Sequence, residues 1–139
     1  MEIVEHDLTQ RLPLSSGTFD LVLCCLVIEH LPDLDRIVSE LGRICRAGGH
    51  VVISDFHPEM TRRGMNARFH DPEGGPKYQI GGYHRPVSAY VMAAIRAGLR
   101  IEEIAEHLMD EATAAASRSA QKYVGLPLLL TMKLRAPKG

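Results

Sequence analysis

Histidine and cysteine are the side chains of this sequence best suited to chemistry, because imidazoles transfer protons near neutral pH and both groups bind metals. The seven histidines show no HExxH motif and no paired spacing with cysteine. Among the three cysteines, Cys24 and Cys25 are adjacent and Cys45 stands apart, so there is no CxxC pair. Zinc sites need such spacings, and we therefore expect no metal site.

Hydrolytic and phosphate-loop chemistry is also disfavoured. A nucleophilic serine elbow requires G-x-S-x-G, which does not occur, and the closely spaced Ser54, Asp55 and His57 imply no triad geometry. No G-x-G occurs anywhere in the sequence. The sequence therefore contains neither the glycine fingerprint of dinucleotide-binding enzymes nor a Walker loop.

Size and charge exclude several broad classes of protein. The 139 residues suit one domain, and 16 basic against 17 acidic side chains give a formal charge of −1. Nucleic-acid binding driven by gross charge is therefore not expected. The longest apolar run, Leu21 to Ile28, is far shorter than the ~20 residues of a membrane span. The odd cysteine count fits a reducing compartment, so we expect a cytoplasmic protein.

The elements that must position these side chains begin with a strand-helix-strand pattern. The stretch Phe19–Leu26 is apolar apart from Asp20 and does not alternate, which predicts a strand that is covered on both faces. Apolar residues with a 3.6-residue period follow Asp33, which can cap a helix that Gly48 would end. The β-branched run His50–Asp55 predicts a second strand parallel to the first.

The second half of the sequence predicts a long insertion followed by mixed elements. Pro, Gly, His and Arg dominate residues 56–85, and an irregular segment of this length favours a functional lid. Pro86 and Gly98 bound a predicted helix whose apolar face includes Ile95. The remaining predictions are an exposed strand, a helix and a strand near or at a sheet edge, over Leu99–Glu106, Asp110–Gln121 and Leu126–Leu134.

Several spaced motifs occur in the order found in one enzyme family. They are His6-Asp7-Leu8-Thr9, Leu12-Pro13-Leu14, Gly17-Thr18-Phe19-Asp20, Ile28-Glu29-His30-Leu31, Glu40-Leu41 followed by Gly48-Gly49, and Tyr83-His84-Arg85-Pro86. On these motifs the sequence resembles the class I S-adenosylmethionine-dependent methyltransferases, in the small-molecule branch of ubiquinone and menaquinone biosynthesis. The resemblance implies an α/β, Rossmann-like methyltransferase sheet, S-adenosylmethionine as cofactor, and methyl transfer to a small apolar molecule.

The resemblance also implies which residues bind the cofactor. Asp7 would accept a hydrogen bond from the adenine amino group, and the backbone of Leu8 would contact the ring. The strand end formed by Cys24, Cys25 and Leu26 would face the methionine part of the cofactor, at the carboxyl edge where parallel sheets bind ligands. The alternatives are an aspartate that only begins a turn and two thiols that only pack as small apolar groups.

The acceptor side follows from the same resemblance. His30 would take a proton from the acceptor as a catalytic base, and His84 and Arg85 would contact the acceptor beneath the 56–85 insertion. The alternatives are a histidine that caps the following turn and a charged pair that marks the start of a helix. Methyl transfer needs few catalytic groups, because the protein mainly orients the acceptor and excludes water.

The sequence departs from the family pattern before Asp7. The family's first strand and its Gly-rich cofactor loop have no counterpart here, so we predict that residues 1–139 form the C-terminal portion of a methyltransferase domain, truncated by its first two βα units. The Phe19–Leu26 strand would then present an unpaired edge, which a second copy in a homodimer or a complementary N-terminal chain would cover. A second hypothesis is a non-catalytic dimerisation or regulatory module built on a degenerate methyltransferase scaffold.

Overall fold

A computed structural model describes residues 2–65, 68–70, 74–75, 77–116 and 118–138. Ten helices and strands are found in these ranges, together with two short 3₁₀ helices, Ile28–His30 and Arg118–Tyr123. The strands are β1 (Phe19–Cys25), β2 (Cys45–Phe56), β3 (Arg68–His70), β4 (Lys77–Gln79), β5 (Arg100–Leu108) and β6 (Pro127–Arg135). The α-helices are α1 (Leu34–Ile44), α2 (Pro58–Arg62), α3 (Val87–Arg96) and α4 (Glu111–Ala114).

Four strands form the main sheet, in the order β1-β2-β6-β5. β1 and β2 are parallel, as the strand-helix-strand pattern predicted, whereas β6 runs antiparallel to both β2 and β5. The sequence placed the last strand near or at an edge, and β6 is near it but not at it, because it lies between β2 and the edge strand β5. Pro127 is tolerated there as the first residue of the strand. β5 lies at one edge of the sheet, and most of its residues are exposed, as predicted for this strand.

Helix α1 is amphipathic and buries its apolar face against the sheet. Asp33 caps it, with its side chain accepting a hydrogen bond from the backbone N–H of Arg36 at 3.0 Å. The expectation that Gly48 ends this helix is wrong. The chain enters β2 at Cys45, and Gly48 uses its φ of 72° inside that strand, where the pairing with β1 shifts register.

The hydrophobic core lies on one face of the sheet, beneath α1 and α3. Val22 of β1, Val51 of β2, and Met132 and Leu134 of β6 are all buried there. Gly98 ends α3 with a φ of 70°, as predicted. Ile95 was expected in the core, but its side chain is 54% exposed. Helix α3 packs against α1 through the small, buried Ala93 and Ala94 instead.

The opposite face of the sheet is open in the described chain. Along β1 the side chains alternate, so that Leu21 is 53% and Leu23 62% exposed while Val22 and Cys24 are buried. The prediction that this strand is covered on both faces is therefore wrong for these residues. β1 pairs only with β2 among the described strands, which leaves the unpaired edge that the sequence led us to expect.

The predicted irregular insertion contains regular structure. Helix α2 and the two-stranded antiparallel sheet of β3 and β4 lie within residues 56–85. Residues 71–73 and 76, in its Pro- and Gly-rich part, lie outside the described residues. The alanine-rich helix predicted over Asp110–Gln121 is reduced to α4 and a 3₁₀ helix, and Ser117 between them lies outside the described residues.

Candidate functional site

The carboxyl ends of β1 and β2 meet at one edge of the sheet. Cys25 pairs with Ser54, and the backbone N–H of Leu26 donates to the carbonyl of Ser54 at 2.8 Å. Leu26 has a φ of 54°, and among the described residues it is the one non-glycine residue with positive φ. For a residue with a β-carbon, this left-handed conformation costs about 1 to 2 kcal/mol. Such backbone strain is concentrated at functional sites. The strand therefore turns sharply at the place where parallel sheets bind ligands.

His30 lies in the 3₁₀ helix directly after this turn. Its Nδ1 lies 3.3 Å from the carbonyl oxygen of Gly81, and its Nε2 lies 3.3 Å from Oε1 of Glu29. The backbone N–H of Tyr83 donates to the carbonyl of Glu29 at 2.7 Å. Two contacts from the segment before α3 thus hold the imidazole and its neighbour in place.

Arg85 also holds the turn that contains His30, through hydrogen bonds to its backbone. Its guanidinium donates to the carbonyl of Ile28 at 3.2 Å and to the carbonyl of Leu31, and it stacks over the ring of Tyr83 at 5.2 Å from the ring centre. His84 is exposed, with its Nδ1 3.1 Å from Oγ1 of Thr61. Arg85 is therefore engaged with the protein backbone, whereas His84 faces solvent.

A buried carboxyl pair lies behind His30, and sequence reasoning gave it no role. Asp55 is fully buried, accepting from the hydroxyl of Tyr90 at 3.0 Å and from the backbone N–H of Phe56 at 3.1 Å. Glu29 is 3% exposed, and its Oε2 is buried without a hydrogen-bond partner. The signal in the sequence was one acidic residue inside the apolar stretch Leu26–Leu31, which is unusual for a chain segment that becomes buried.

Burial sets the protonation of these groups. Burial raises the pKa of Glu29, and the charge of Asp55 raises it further. Burial also raises the pKa of Asp55, which the hydrogen bond from Tyr90 opposes. Burial, with the charge of Asp55, also raises the pKa of the Cys24 thiol to about 11. Cys24 is consequently a protonated, packed thiol at neutral pH, while Cys25 is exposed.

Asp7 lies on the surface in a tight turn. Its Oδ1 accepts from the backbone N–H and from the hydroxyl of Thr9, both at 2.8 Å, and the backbone bond is the main reason that its pKa is lowered. No hydrogen bond from the described residues reaches Oδ2. Asp7 therefore does begin a turn, as the alternative to adenine binding predicted. The turn leaves the second oxygen of its ionised carboxylate free of hydrogen bonds from the described residues.

Leu8 lines two clefts beside that turn. The smaller, of about 170 Å³, places Leu8 and Thr9 against Leu31–Asp33, the residues that follow His30, and against Arg36. The guanidinium of Arg36 lies 3.5 Å from the carbonyl of Leu8. A larger apolar cavity of about 500 Å³ is lined by Leu8 with Glu2, Val4, Leu12, Pro13, Leu14 and Phe19. Cys24, Cys25 and Leu26 do not line either cleft.

The described residues include neither a candidate metal-binding cluster nor a candidate membrane-spanning helix. Groups of three or more His, Cys, Asp or Glu side chains that could hold a metal ion do not occur in the part of the chain that the structure describes. None of the helices in the described ranges has the length and apolar character needed to cross a bilayer.

Comparisons with known proteins find similarity to methyltransferases. Residues 1–53 match the sequence model of a methyltransferase domain. A methyltransferase of Emericella nidulans, named as uncharacterized, is 32% identical over 108 residues, which are 73% of this chain and 37% of that protein. The ubiquinone biosynthesis O-methyltransferase of Ralstonia nicotianae is 38% identical over 56 residues, 40% of this chain and 22% of that enzyme. The chain is thus similar in sequence to methyltransferases over residues 1–53 and over the 108 residues shared with the Emericella protein.

Solved structures show the same fold. The chain superposes on an S-adenosylmethionine-dependent methyltransferase of Mesorhizobium loti with a TM-score of 0.71 at 22% identity, covering 94% of this chain and 67% of that one. A methyltransferase of Listeria monocytogenes, described as putative, gives 0.69 at 18% identity, with 91% and 65% covered. This chain thus spans about two thirds of these structures and little more than a third of the Emericella protein.

Proposed function

We propose that this chain supplies the adenine-binding and acceptor-facing part of a site that transfers a methyl group from S-adenosylmethionine to a small apolar molecule. The observation that carries the proposal is the junction of β1 and β2, where a strained Leu26, the His30 turn and a buried carboxyl pair converge. The similarity to methyltransferases supports the cofactor, and the match to an enzyme named for ubiquinone biosynthesis supports a small-molecule acceptor.

The residues on the cofactor side fit an adenosine group. The outward oxygen of Asp7 can accept from an exocyclic amine, and Leu8 lines a cleft beside it. Beyond the sharp turn at Leu26, the backbone of Cys24 and Cys25 would face the rest of the cofactor. Bound there, the cofactor supplies an electrophilic methyl group, so the protein needs only to orient the acceptor and exclude water.

We further propose that His30 and Glu29 together accept the proton that the acceptor releases. When Nδ1–H of His30 donates to Gly81, the lone pair of Nε2 lies 3.3 Å from Glu29 Oε1. A lone pair facing a carboxylate is unfavourable, and one added proton between them removes the repulsion. His84, on the exposed segment before α3, would contact the acceptor. Arg85 holds the His30 turn, and its own contact with the acceptor stays a prediction.

Residues 56–85 would cover the acceptor side of this site. Gly81 and Tyr83 already contact His30 and Glu29, and these contacts support a position of this segment beside the proposed site. Substrate closure by such segments excludes water and completes the arrangement of catalytic groups.

Calorimetry with S-adenosylhomocysteine tests the proposal. We expect saturable binding to this chain and a loss of about tenfold or more in affinity for Asp7→Asn, since one charged hydrogen bond is removed. Asp20→Asn is the matched control, because Asp20 is an exposed aspartate paired with Arg46 and has no assigned role in the site. Equal affinities of Asp7→Asn and Asp20→Asn for S-adenosylhomocysteine would show that Asp7 does not bind the cofactor.

The open β1 edge favours a second candidate function, a dimerisation or regulatory module without catalysis. Leu21 and Leu23 are more than half exposed on a strand whose outer edge is unpaired among the described strands. In either case we propose that a second copy or a complementary N-terminal chain covers this edge. Association in dilute solution without any binding of S-adenosylhomocysteine would favour the module, whereas a stable, well-folded monomer would contradict the covered edge.

A further inference from the structure

A row of basic side chains crosses the sheet at the end remote from the proposed methyl-transfer site. Arg135 of β6 pairs directly with His50 of β2 on one side and with Arg100 of β5 on the other. Directly paired residues point to the same face, and the buried Leu134 next to Arg135 shows that this is the face opposite the core. Three side chains that can carry positive charge therefore stand side by side on the open face.

Among the described residues, Glu102 is the carboxylate that forms ion pairs with this row. A register shift between Ile101 and Glu103 releases it from regular pairing. Its carboxylate lies 2.9 Å from Arg100, 3.1 Å from His50 and 3.6 Å from Arg135, and Lys133 is a further 3.6 Å neighbour. The hydrogen bond from Arg100 is the main reason that the pKa of Glu102 falls to about 2. It is therefore ionised at every physiological pH.

The carboxylates do not fully balance the surrounding charge. Arg100, Arg135 and Lys133 are permanent cations at neutral pH, and the acidic side chains beside them are Glu102 and Glu103, which pairs directly with Lys133. A formal excess of one positive charge therefore remains with His50 neutral. Like charges placed directly opposite one another on neighbouring strands are destabilising. The remaining positive charge favours a bound anion.

A cleft of about 560 Å³ opens beside the row. It is lined by Arg100 and Arg135 together with Gly98, Ala136, Pro137 and Lys138, and no acidic residue is among them. This volume lies in the range of about 300 to 1,000 Å³ that is typical of small-molecule sites. Two guanidinium groups and an ammonium at its wall suit the oxygens of a phosphate group, which arginine binds through paired hydrogen bonds.

We propose that this cleft binds a phosphate group of a small molecule, held by Arg100, Arg135 and Lys138, with Glu102 as the internal counter-ion in its absence. The concave shape favours a small phosphate ester or a diphosphate over an extended surface. The site is separate from the β1–β2 junction, so the inference does not depend on the proposed methyl transfer.

Titration of the chain with pyrophosphate, followed by calorimetry at low ionic strength, tests the site. We expect saturable binding that weakens by about tenfold in Arg135→Gln or Arg100→Gln. Glu102→Gln should instead bind more tightly, by about threefold to tenfold, because the competing carboxylate is gone. This gain is a readout that loss of sheet stability cannot imitate. Arg96→Gln, at an exposed arginine paired with Asp35, is the matched control and should bind like the unaltered chain.

Three results would overturn the inference. The first is an absence of saturable pyrophosphate binding to the unaltered chain. The second is an affinity that is the same in Arg135→Gln as in Arg96→Gln, or an affinity that does not rise in Glu102→Gln. The third is binding to vesicles containing phosphatidic acid without binding of pyrophosphate, which would assign the basic row to a membrane surface. Retained binding of S-adenosylhomocysteine in the same variants would show that the methyl-transfer site is unaffected.

Discussion

Replacement of Glu29 by glutamine should stabilise this chain at neutral pH, although it alters a group of the proposed site. Oε2 of Glu29 is buried without a partner, and the carboxylate of Asp55 is close enough to raise the pKa of Glu29 further. An unpartnered buried polar group costs about 1 to 3 kcal/mol. Glutamine has nearly the same shape and no charge, so we expect the free energy of unfolding to rise by about 1 to 2 kcal/mol near neutral pH.

The pH dependence of this gain follows from the direction of the pKa shift. In the unfolded chain Glu29 titrates near 4.5, and burial raises the folded value above that. Between the two values the folded state holds more protons, so the stability from this group is present at low pH and is lost as the pH rises. The advantage of Glu29→Gln should therefore be close to zero at about pH 4 and should grow as the pH rises through the folded pKa.

Urea unfolding of both proteins across this pH range measures the effect. Glu40→Gln is the matched control with the opposite sign. Hydrogen bonds from Arg43 lower the pKa of Glu40 to about 2. The stabilisation of the folded state by Glu40 is therefore present above pH 4.5 and is lost as the pH falls. The free energy of unfolding of Glu40→Gln should be lower by about 1 kcal/mol at neutral pH, because solvent screens the partly exposed ion pair. A Glu29→Gln variant that is less stable than the parent at neutral pH, or whose advantage is the same at both ends of the range, would refute the reasoning.

Three further predictions concern packing and association. Tyr90→Phe removes the 3.0 Å hydrogen bond to the buried Asp55 and should lower the free energy of unfolding by about 1.5 to 3 kcal/mol, measured by urea titration; an unchanged value would mean that this bond contributes nothing. Gly49→Ala places a β-carbon 2.8 Å from a backbone oxygen and a thiol, and should cost about 1 to 3 kcal/mol, whereas Gly81→Ala enters open space and should be tolerated by the same measure. Leu23→Lys puts a charge on the open β1 strand and should abolish self-association in sedimentation experiments; association that survives it would place the contact elsewhere.

Local rules predicted the elements that position the site. The cap at Asp33, the glycine at the end of α3 and the parallel pairing of β1 with β2 follow from capping, turn chemistry and the handedness of crossovers. The position of β6 between two other strands does not follow in this way, because strand order is decided by long-range pairing. A proline in its first residue suggested an edge although it carries no such constraint there.

The candidate site shows the same division. The turn at Leu26 and His30 was reached through motif order, but the pairing of Glu29 with Asp55 depends on two strand ends meeting in space. Likewise, Glu102 and its basic neighbours come from three strands that are far apart in sequence. Clusters of charged side chains from distant strands are therefore the feature of this chain that its sequence conceals most.

The central claim is that Asp7, Leu8 and the end of β1 bind one ligand together, and amide chemical shifts measured on addition of S-adenosylhomocysteine test it most directly. The account predicts that the amides of Leu8, Thr9, Cys25 and Leu26 shift with one common saturation curve, while that of Arg135 at the far end of the sheet does not. Shifts confined to one of the two segments, or no saturable shift in either, would contradict it.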